Sequence, residues 1–293
     1  MREIPEYLYP FESHWLEIDG LRLHYLDEGE GEPVVAVHGN PTWSFYYREL
    51  VRELRSEFRV VVPDHIGCGL SDKPGDEAYD YTLGRRIEDF GRLMEDRGLD
   101  GINLVVHDWG GMIALAWAVR HADRIKRLII LNTAAFGLPK AKSFPWQLWL
   151  VRDTPLGPVM VRGLNGFARG ATHLACTRKK LTKEVRDAYC APYDSWSDRI
   201  ATLRFVQDIP LRPGDRGYDI VADTAGRLEV FRHHPVLVCW GAKDFVFDDH
   251  FLAEWQRVLP DAEVHRFADC GHYILEDASE EIIPLIHQFL SSA

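Results

Sequence analysis

The chain has 293 residues, of which 46% are hydrophobic and 27% are charged, a composition ordinary for a folded globular protein. Its formal net charge of −11 argues against nucleic acid as a partner. No uninterrupted apolar run reaches the roughly 18 residues that a membrane span needs, and the first residues show no secretory signal, which predicts a cytoplasmic protein with no membrane span.

Strand and helix patterns alternate along the first part of the chain. Two runs of alternating polarity, 14–18 and 21–26, flank Asp19 and Gly20 and predict a β-hairpin. Further elements are predicted as strands at 34–37, 58–62, 103–108 and 127–131 and as helices at 45–54, 83–97 and 113–118. This alternation predicts a mostly parallel sheet covered by helices on both faces, with the ligand site beyond the carboxyl ends of the strands.

The alternation stops after residue 136 and resumes near residue 234. The later elements are predicted in the order strand 235–240, helix 251–259, strand 263–267 and helix 280–290. With these two strands the predicted sheet has eight, and the fold class is α/β.

The interrupting segment differs from the rest of the chain in composition. From Gly137 to Gly226, fourteen Lys and Arg residues stand against nine Asp and Glu residues, whereas the whole chain is acidic. Aromatic-rich helical patterns replace the strands there. We therefore predict a core formed by 1–136 and 234–293 and an inserted helical cap at 137–233.

The cysteines give no sign of a metal centre or a disulfide framework. They are five in number, lie far apart, and form neither a C-x-x-C pair nor a His/Cys cluster. Free, mostly buried thiols are the simplest interpretation. We expect no bound metal and no cofactor.

Asp108 ends the apolar strand pattern and is followed at once by Gly110, Gly111 and a helical run. This arrangement predicts a sharp strand-to-helix turn, the position of a nucleophile elbow. A carboxylate is already ionised at neutral pH, so it can attack carbon and form an ester of the enzyme itself. The alternative interpretation is an ordinary aspartate that caps a helix N-terminus.

Asp244 and His272 follow Asp108 in the order nucleophile, acid and histidine that α/β-hydrolases use. Each lies after a predicted strand, so all three belong at the same edge of the sheet. A catalytic histidine needs a carboxylate to orient it and to stabilise its charged form. Asp244 is the best placed carboxylate, with Asp248 and Asp249 as rivals for the role.

Two donors suit an anionic leaving group. The indole N–H of Trp109 and the side-chain amide of Asn40 can hold an anion but have no useful acid proton to give. Alternatively, Trp109 is a packed aromatic residue and Asn40 forms a turn ahead of Pro41. An alkoxide leaving group would instead need an acidic donor, for which Tyr189 and Tyr193 in the cap are the candidates.

Four segments together resemble the haloalkane dehalogenase family of α/β-hydrolases. They are His-Gly-Asn-Pro-Thr-Trp-Ser at 38–44, Asp-His-Ile-Gly-x-Gly-Leu-Ser-Asp-Lys-Pro at 64–74, Val-His-Asp-Trp-Gly-Gly at 106–111 and Gly-His at 271–272. The resemblance implies that Trp109 and Asn40 bind the halide. Some members place the triad acid after the sixth strand, where this chain has Asn132, so the resemblance assigns that role to Asp244 and is to the third subfamily.

Segments 132–136 and 188–211 resemble one branch of that subfamily, the β-lactone decarboxylases of bacterial long-chain olefin biosynthesis. The resemblance implies conversion of cis-3,4-dialkyl β-lactones (oxetan-2-ones) into cis-alkenes and carbon dioxide, and association with other enzymes of that pathway. A β-lactone opened at its alkyl carbon expels a carboxylate, which the same two donors can hold.

Other functions remain open at the level of the sequence. A haloalkane dehalogenase would use His272 to activate water against an ester of Asp108. An epoxide hydrolase would share the Asp elbow but rely on cap tyrosines. A catalytically silent hydrolase fold that only binds a ligand under its cap is the alternative from a different class.

The cap carries apolar residues that suit a small hydrophobic substrate, because apolar surface removed from water contributes ~25 cal/mol per Å². We predict that Phe144, Trp146 and Trp149 line the substrate pocket. Simple packing against the sheet is the alternative for each of them. The basic cap could also attract an acidic partner protein.

Overall fold

The computed structural model describes residues 4–292, so the ends of the predicted core at 1–3 and 293 lie outside the described residues. A sheet of eight strands forms its centre. The strands are β1 (His14–Ile18), β2 (Leu21–Glu28), β3 (Glu32–Val37), β4 (Phe58–Pro63), β5 (Ile102–Asp108), β6 (Ile125–Thr133), β7 (Val236–Gly241) and β8 (Glu263–Phe267). Each lies where the sequence predicts it, with ends that differ by a few residues.

The strand order is β1-β2-β4-β3-β5-β6-β7-β8. The pairs β1–β2 and β2–β4 are antiparallel, and all other neighbours are parallel. Asp19 and Gly20 both adopt positive φ angles, of 52° and 79°, which is the backbone that a two-residue hairpin turn requires. The predicted hairpin and the mostly parallel eight-stranded sheet are therefore confirmed.

Twelve α-helices accompany the strands in the described residues. They are α1 (Arg48–Leu54), α2 (Leu83–Asp96), α3 (Trp109–Ala118), α4 (Trp146–Asp153), α5 (Leu156–Pro158), α6 (Gly166–Leu174), α7 (Lys183–Cys190), α8 (Ile200–Gln207), α9 (Tyr218–Arg227), α10 (Asp249–Val258), α11 (Ile274–Asp277) and α12 (Ser279–Ser291). A π-helical turn at Val159–Gly163 follows α5 directly. The helices supply the layers that bury the two faces of the sheet.

The core consists of two apolar layers, one on each face of the sheet. Successive residues of β3 belong to different layers. Val35 and Val37 pack in one layer with α2 and α3, whereas Val34 and Ala36 pack in the other with α1 and α12. Side chains of a strand point alternately to opposite faces, so a strand buried on both sides must be apolar throughout. This explains the continuous apolar runs of the central strands.

Between β6 and β7 the described chain contains helices and turns but no strand. A separate small apolar cluster there joins α4 to α8 through Leu148, Val151 and Leu203. Helix α9 instead packs against α3, and Val221 belongs to the core layer on that face. The division at residues 136 and 234 stays a prediction.

No helix within residues 4–292 is long and apolar enough to cross a membrane. The five cysteines are present as free thiols, with Cys68, Cys239 and Cys270 buried. In the part of the chain that the structure describes, no group of His, Cys, Asp and Glu side chains is placed to hold a metal ion.

Candidate active site

Asp108 lies on a sharp turn between β5 and α3, with φ 50° and ψ −128°. The glycines that follow allow the strand and the helix to approach closely. A Cβ atom on Gly110 would lie 2.0 Å from the carbonyl oxygen of Val37, and one on Gly111 would lie 2.0 Å from Oγ1 of Thr133. Asp108 occupies the N-cap position of α3 but makes no side-chain capping bond. The backbone is that of a nucleophile elbow.

The carboxylate of Asp108 is buried, with 6% of the residue exposed. Its Oδ2 accepts the backbone N–H of Asn40 at 2.6 Å, and the backbone N–H of Trp109 also binds it. Burial raises the pKa of Asp108 above its usual value, although His272 and these two N–H groups oppose the shift. Gly39 makes this packing possible, since a Cβ there would lie 2.1 Å from Oδ2.

His272 donates from Nδ1 to Oδ2 of Asp244 over 2.7 Å, and both residues are buried. The other oxygen of Asp244 accepts the backbone N–H of Val246 at 2.7 Å. The rival carboxylates are engaged elsewhere: Asp248 caps α10, and Asp249 binds Arg266 at the surface. Of the three candidates, the structure therefore pairs Asp244 with the histidine.

The charge state of His272 is set by the groups around it. Burial disfavours the imidazolium, but the carboxylate of Asp244, and then that of Asp108, outweigh burial and raise the pKa of His272. The neighbouring His107 is buried, its pKa lies well below the usual value, and its Nε2 donates to the carbonyl oxygen of His272 at 2.8 Å. His107 therefore supports the loop as a neutral side chain.

Asn132, at the end of β6, supports the carboxylate of Asp244. Its backbone has a φ of 32°, and its Nδ2 donates to Oδ2 of Asp244 at 3.1 Å and to the carbonyl oxygen of Gly241 at 3.0 Å. Its Oδ1 accepts the N–H of Gly241 at 2.7 Å. The sequence showed only that Asn132 cannot be the acid. Its role in supporting Asp244 was not predicted, because its hydrogen-bond partners come from a loop that is distant in the chain.

Trp109 and Asn40 lie together at the wall of one cavity with Asp108 and His272. Asn40 donates one side-chain N–H to the carbonyl oxygen of Thr202 in α8 at 3.1 Å. An amide nitrogen carries two hydrogens, so the second remains for a ligand. The structure thus brings together the two predicted anion donors and two members of the predicted triad.

The cavity has a volume of about 460 Å³, which is in the range of small-molecule sites. Among its described lining residues, Asp108 and His272 are the only ionisable side chains. The rest of the wall is mainly apolar and comes largely from the predicted cap, including Phe144, Leu148 and Phe167. Such a wall removes apolar ligand surface from water.

The structure places Phe144 in the cavity wall, as predicted, but not Trp146 or Trp149. The two tryptophans lie on the outer face of α4, where 68% and 52% of them are exposed. Leu148 and Val151 take the inner face of the same helix. Residues three apart share a helix face, so a helix that turns Leu148 and Val151 inward turns these tryptophans outward. In this structure the two tryptophans therefore lie outside the cavity wall.

The two candidate tyrosines do not reach the cavity. The hydroxyl of Tyr189 donates to Oε1 of Glu276, and that of Tyr193 donates to the carbonyl oxygen of Thr42 at 3.4 Å. Both side chains are buried, and no tyrosine is among the described residues that line the cavity. The acidic donor that an alkoxide leaving group needs is therefore missing from this wall.

The fold and this site define a class of protein. The sequence model of the family described as alpha/beta hydrolase fold matches residues 32–279, which is most of the chain. The chain belongs to the α/β-hydrolase family. The predicted α/β-hydrolase fold is thereby confirmed.

Two relatives narrow the resemblance further. The cis-3-alkyl-4-alkyloxetan-2-one decarboxylase of Shewanella oneidensis is 56% identical over 285 residues, covering 97% of this chain and 90% of the relative. The decarboxylase of the same name from Xanthomonas campestris is 47% identical over 291 residues, covering 96% and 97% of the two chains. Both relatives are enzymes, and the predicted resemblance to β-lactone decarboxylases is confirmed.

More distant relatives are dehalogenases. Haloalkane dehalogenase 2 of Mycobacterium tuberculosis is 31% identical over 286 residues and covers 95% of each chain. The crystal structure of haloalkane dehalogenase DatA from Agrobacterium tumefaciens C58 matches with a TM-score of 0.86 at 24% identity, covering 96% of both chains. The latter comparison concerns the fold alone.

Replacing Asp244 by Asn should lower the pKa of His272, because the carboxylate that favours the imidazolium is removed. A histidine whose folded pKa is raised contributes stability below its unfolded pKa, and this contribution is lost as the pH rises through the folded pKa. Asp244→Asn should therefore lower the melting temperature more at about pH 5.5 than at about pH 9.

The measurement combines calorimetry at the two pH values with an NMR titration of His272. Asp249→Asn, a change in an exposed ion pair with Arg266, is the matched control. An equal loss of stability at both pH values, with the titration of His272 unchanged, would show that Asp244 does not set the charge of the histidine.

Proposed function

We propose that this chain is a β-lactone decarboxylase that converts cis-3-alkyl-4-alkyloxetan-2-ones into cis-alkenes and carbon dioxide. The observation that carries the proposal is the mainly apolar cavity of about 460 Å³, whose described lining residues include Asp108 and His272 as the only ionisable groups. The two relatives with 56% and 47% identity bear the name of this activity. A lactone with two alkyl chains matches the apolar wall.

In the first step the carboxylate of Asp108 attacks the ring carbon that carries both an alkyl chain and the ring oxygen. The C–O bond breaks, its electron pair goes to the ring oxygen, and a free carboxylate forms on the neighbouring carbon. The free side-chain N–H of Asn40 and the indole N–H of Trp109 receive this anion. The product of the step is an ester of Asp108.

In the second step the new carboxylate leaves as carbon dioxide. The electron pair of its C–C bond forms the double bond and expels the carboxylate of Asp108, so the enzyme is restored without water or proton transfer. Attack inverts one carbon, and anti elimination follows, so the net loss of carbon dioxide is syn. A cis lactone therefore gives a cis alkene.

In this route His272 stabilises negative charge and does not act as a base. Burial opposes its charging, but Asp244 and Asp108 raise its pKa and so favour the imidazolium near the carboxylate that attacks and later departs. Attack at the lactone carbonyl, with an anhydride of Asp108 as the intermediate, is the competing mechanism for the same overall reaction.

Haloalkane dehalogenase is the second candidate function, because relatives with 31% identity over most of the chain carry that name. It would use the same Asp108, Asn40 and Trp109, with a halide in place of the carboxylate and with His272 activating water. The absence of tyrosine from the described cavity wall makes epoxide hydrolysis the weaker candidate. A site that only binds a ligand leaves the paired Asp244 and His272 without a role.

The proposal also covers the cellular location of the enzyme and its protein partners. The lack of a membrane-spanning helix within residues 4–292 agrees with a cytoplasmic enzyme. The basic composition of 137–226 on an acidic chain suits an acidic partner protein, and enzymes that make or consume the long-chain intermediates are the natural candidates.

The test is an incubation of the purified protein with a synthetic cis-dialkyl β-lactone and, separately, with its trans isomer. We expect the cis lactone to give cis-alkene and carbon dioxide. Gas chromatography measures the alkene. A bromoalkane is offered in parallel while bromide is measured. Bromide release without any alkene would assign the chain to the dehalogenases, and an alkene of inverted geometry would exclude the syn route.

A further inference from the structure

Arg86 of α2 is a buried cation without hydrogen bonds. Only 1% of the residue is exposed, and all three guanidinium nitrogens, Nε, Nη1 and Nη2, are buried without a hydrogen-bond partner. The nearest carboxylate is that of Asp208, with 3.8 Å between Nη1 and Oδ2. Oδ2 is already bound to the backbone N–H of Leu83 at 2.6 Å. A buried guanidinium normally binds its partners directly, so this arrangement needs an explanation.

The guanidinium is linked to Trp109, one of the two anion donors, through the ring of Phe205. Its Cζ is 3.7 Å from the centroid of the Phe205 ring, and Phe205 packs on Trp109 with 5.2 Å between ring centroids. These two contacts place the charge within about 9 Å of the indole, with the Phe205 ring in contact with both groups. Arg86 itself does not line the cavity. Its field can therefore act on an anion at Trp109, but its nitrogens cannot touch one.

Few ionised groups surround Arg86. Burial keeps His65 neutral by lowering its pKa well below the usual value, and burial raises the pKa of the Cys68 thiol to about 12. Burial also raises the pKa of Asp208 to about 6, and Arg86 opposes that shift. Among the described residues, Asp208 is thus the one carboxylate that the structure pairs with Arg86, at 3.8 Å. Because the carboxylate accepts no hydrogen bond from the guanidinium, the two charges are only partly paired.

We propose that Arg86 is a positioning residue that stabilises the anion expelled at Trp109, acting electrostatically through Phe205, with Asp208 limiting its effect. This inference rests on the proposed function, because it deepens the role of the leaving-group site. A buried charge in a low-dielectric wall is screened little and needs no rearrangement when the leaving group becomes negative.

Three variants are expected to change bromide affinity in different ways. Arg86→Met removes the charge while keeping the bulk, and we expect roughly tenfold weaker binding of bromide and a similar fall in kcat for the cis lactone. Arg86→Lys keeps a positive charge and should stay within about threefold of the parent protein. Asp208→Asn removes the counter-charge and should tighten bromide binding by about threefold or more.

Bromide binding is measured by quenching of tryptophan fluorescence, with Trp109→Phe as the blank, and melting temperatures check that each variant folds. Loss of packing alone would weaken binding in all three variants. The proposal is overturned if Arg86→Met and Asp208→Asn move bromide affinity in the same direction, or if Arg86→Lys is as weak as Arg86→Met. It is also overturned if the parent protein binds no bromide at Trp109.

These experiments can distinguish a failure of the inference about Arg86 from a failure of the proposed function. If the parent protein forms alkene but Arg86→Met leaves kcat unchanged, the inference fails and the decarboxylase stands. If the parent protein forms no alkene, the proposed function fails. Opposite shifts of bromide affinity in Arg86→Met and Asp208→Asn would then still support the anion site for a halide.

Discussion

Asp108→Asn should reduce kcat/KM for alkene formation by at least about 10⁴-fold, because the amide keeps the shape of the carboxylate but cannot form the covalent ester. The same change should stop bromide release from a bromoalkane. Its effect on folding should be small, since the amide oxygen can still accept the N–H of Asn40. The measurement is alkene by gas chromatography and bromide by ion analysis under identical conditions.

Asp249→Asn serves as the control for Asp108→Asn. It makes the same chemical change at a surface ion pair with Arg266, and it should retain full activity. Mass spectrometry of the parent protein during turnover should show an alkyl adduct on the peptide that contains Asp108. Retention of more than a few per cent of activity by Asp108→Asn would exclude covalent catalysis at this residue and return it to the role of a structural aspartate.

The sequence predicted the sheet and its elbow because these features are encoded locally. The strand alternation and the Asp-Gly hairpin appear within short windows, and the order Asp108, Asp244, His272 follows from strand ends that must meet at one edge. The structure adds the pairing of Asp244 with His272 over 2.7 Å, which excludes its two rivals. Its position just after the strand favoured Asp244 in the sequence, but the local pattern alone left Asp248 and Asp249 open as rivals.

The cap was harder to predict because its helices are apolar on more than one side. Trp149 and Leu148 are adjacent and equally apolar in sequence, but only Leu148 faces the cavity. The side that faces inward is set by packing against α8 and α5, and the hydrophobic pattern of α4 alone does not reveal which side that is. For the same reason the sequence did not predict the position of Phe205, which contacts Trp109 and Arg86, two residues distant from it in the chain.

His272→Ala should separate the two candidate chemistries. In dehalogenation the histidine activates water, so its loss should stop hydrolysis and leave an alkyl ester on Asp108. In decarboxylation no water or proton is used, so alkene formation should fall by only about 10- to 100-fold, through the loss of a stabilising charge. The imidazole also lowers the pKa of Asp108. The variant should therefore lose more activity at acidic pH, where its nucleophile becomes protonated.

The measurement follows alkene, bromide and the mass of the Asp108 peptide for His272→Ala across a range of pH. Asp244→Asn is the companion variant, since it keeps the imidazole but removes the carboxylate that favours its charge. An ester that accumulates with the bromoalkane while alkene still forms from the lactone would support elimination without water. If alkene formation fell as far as in Asp108→Asn, proton transfer by His272 would be required, and attack at the lactone carbonyl would replace the route proposed above.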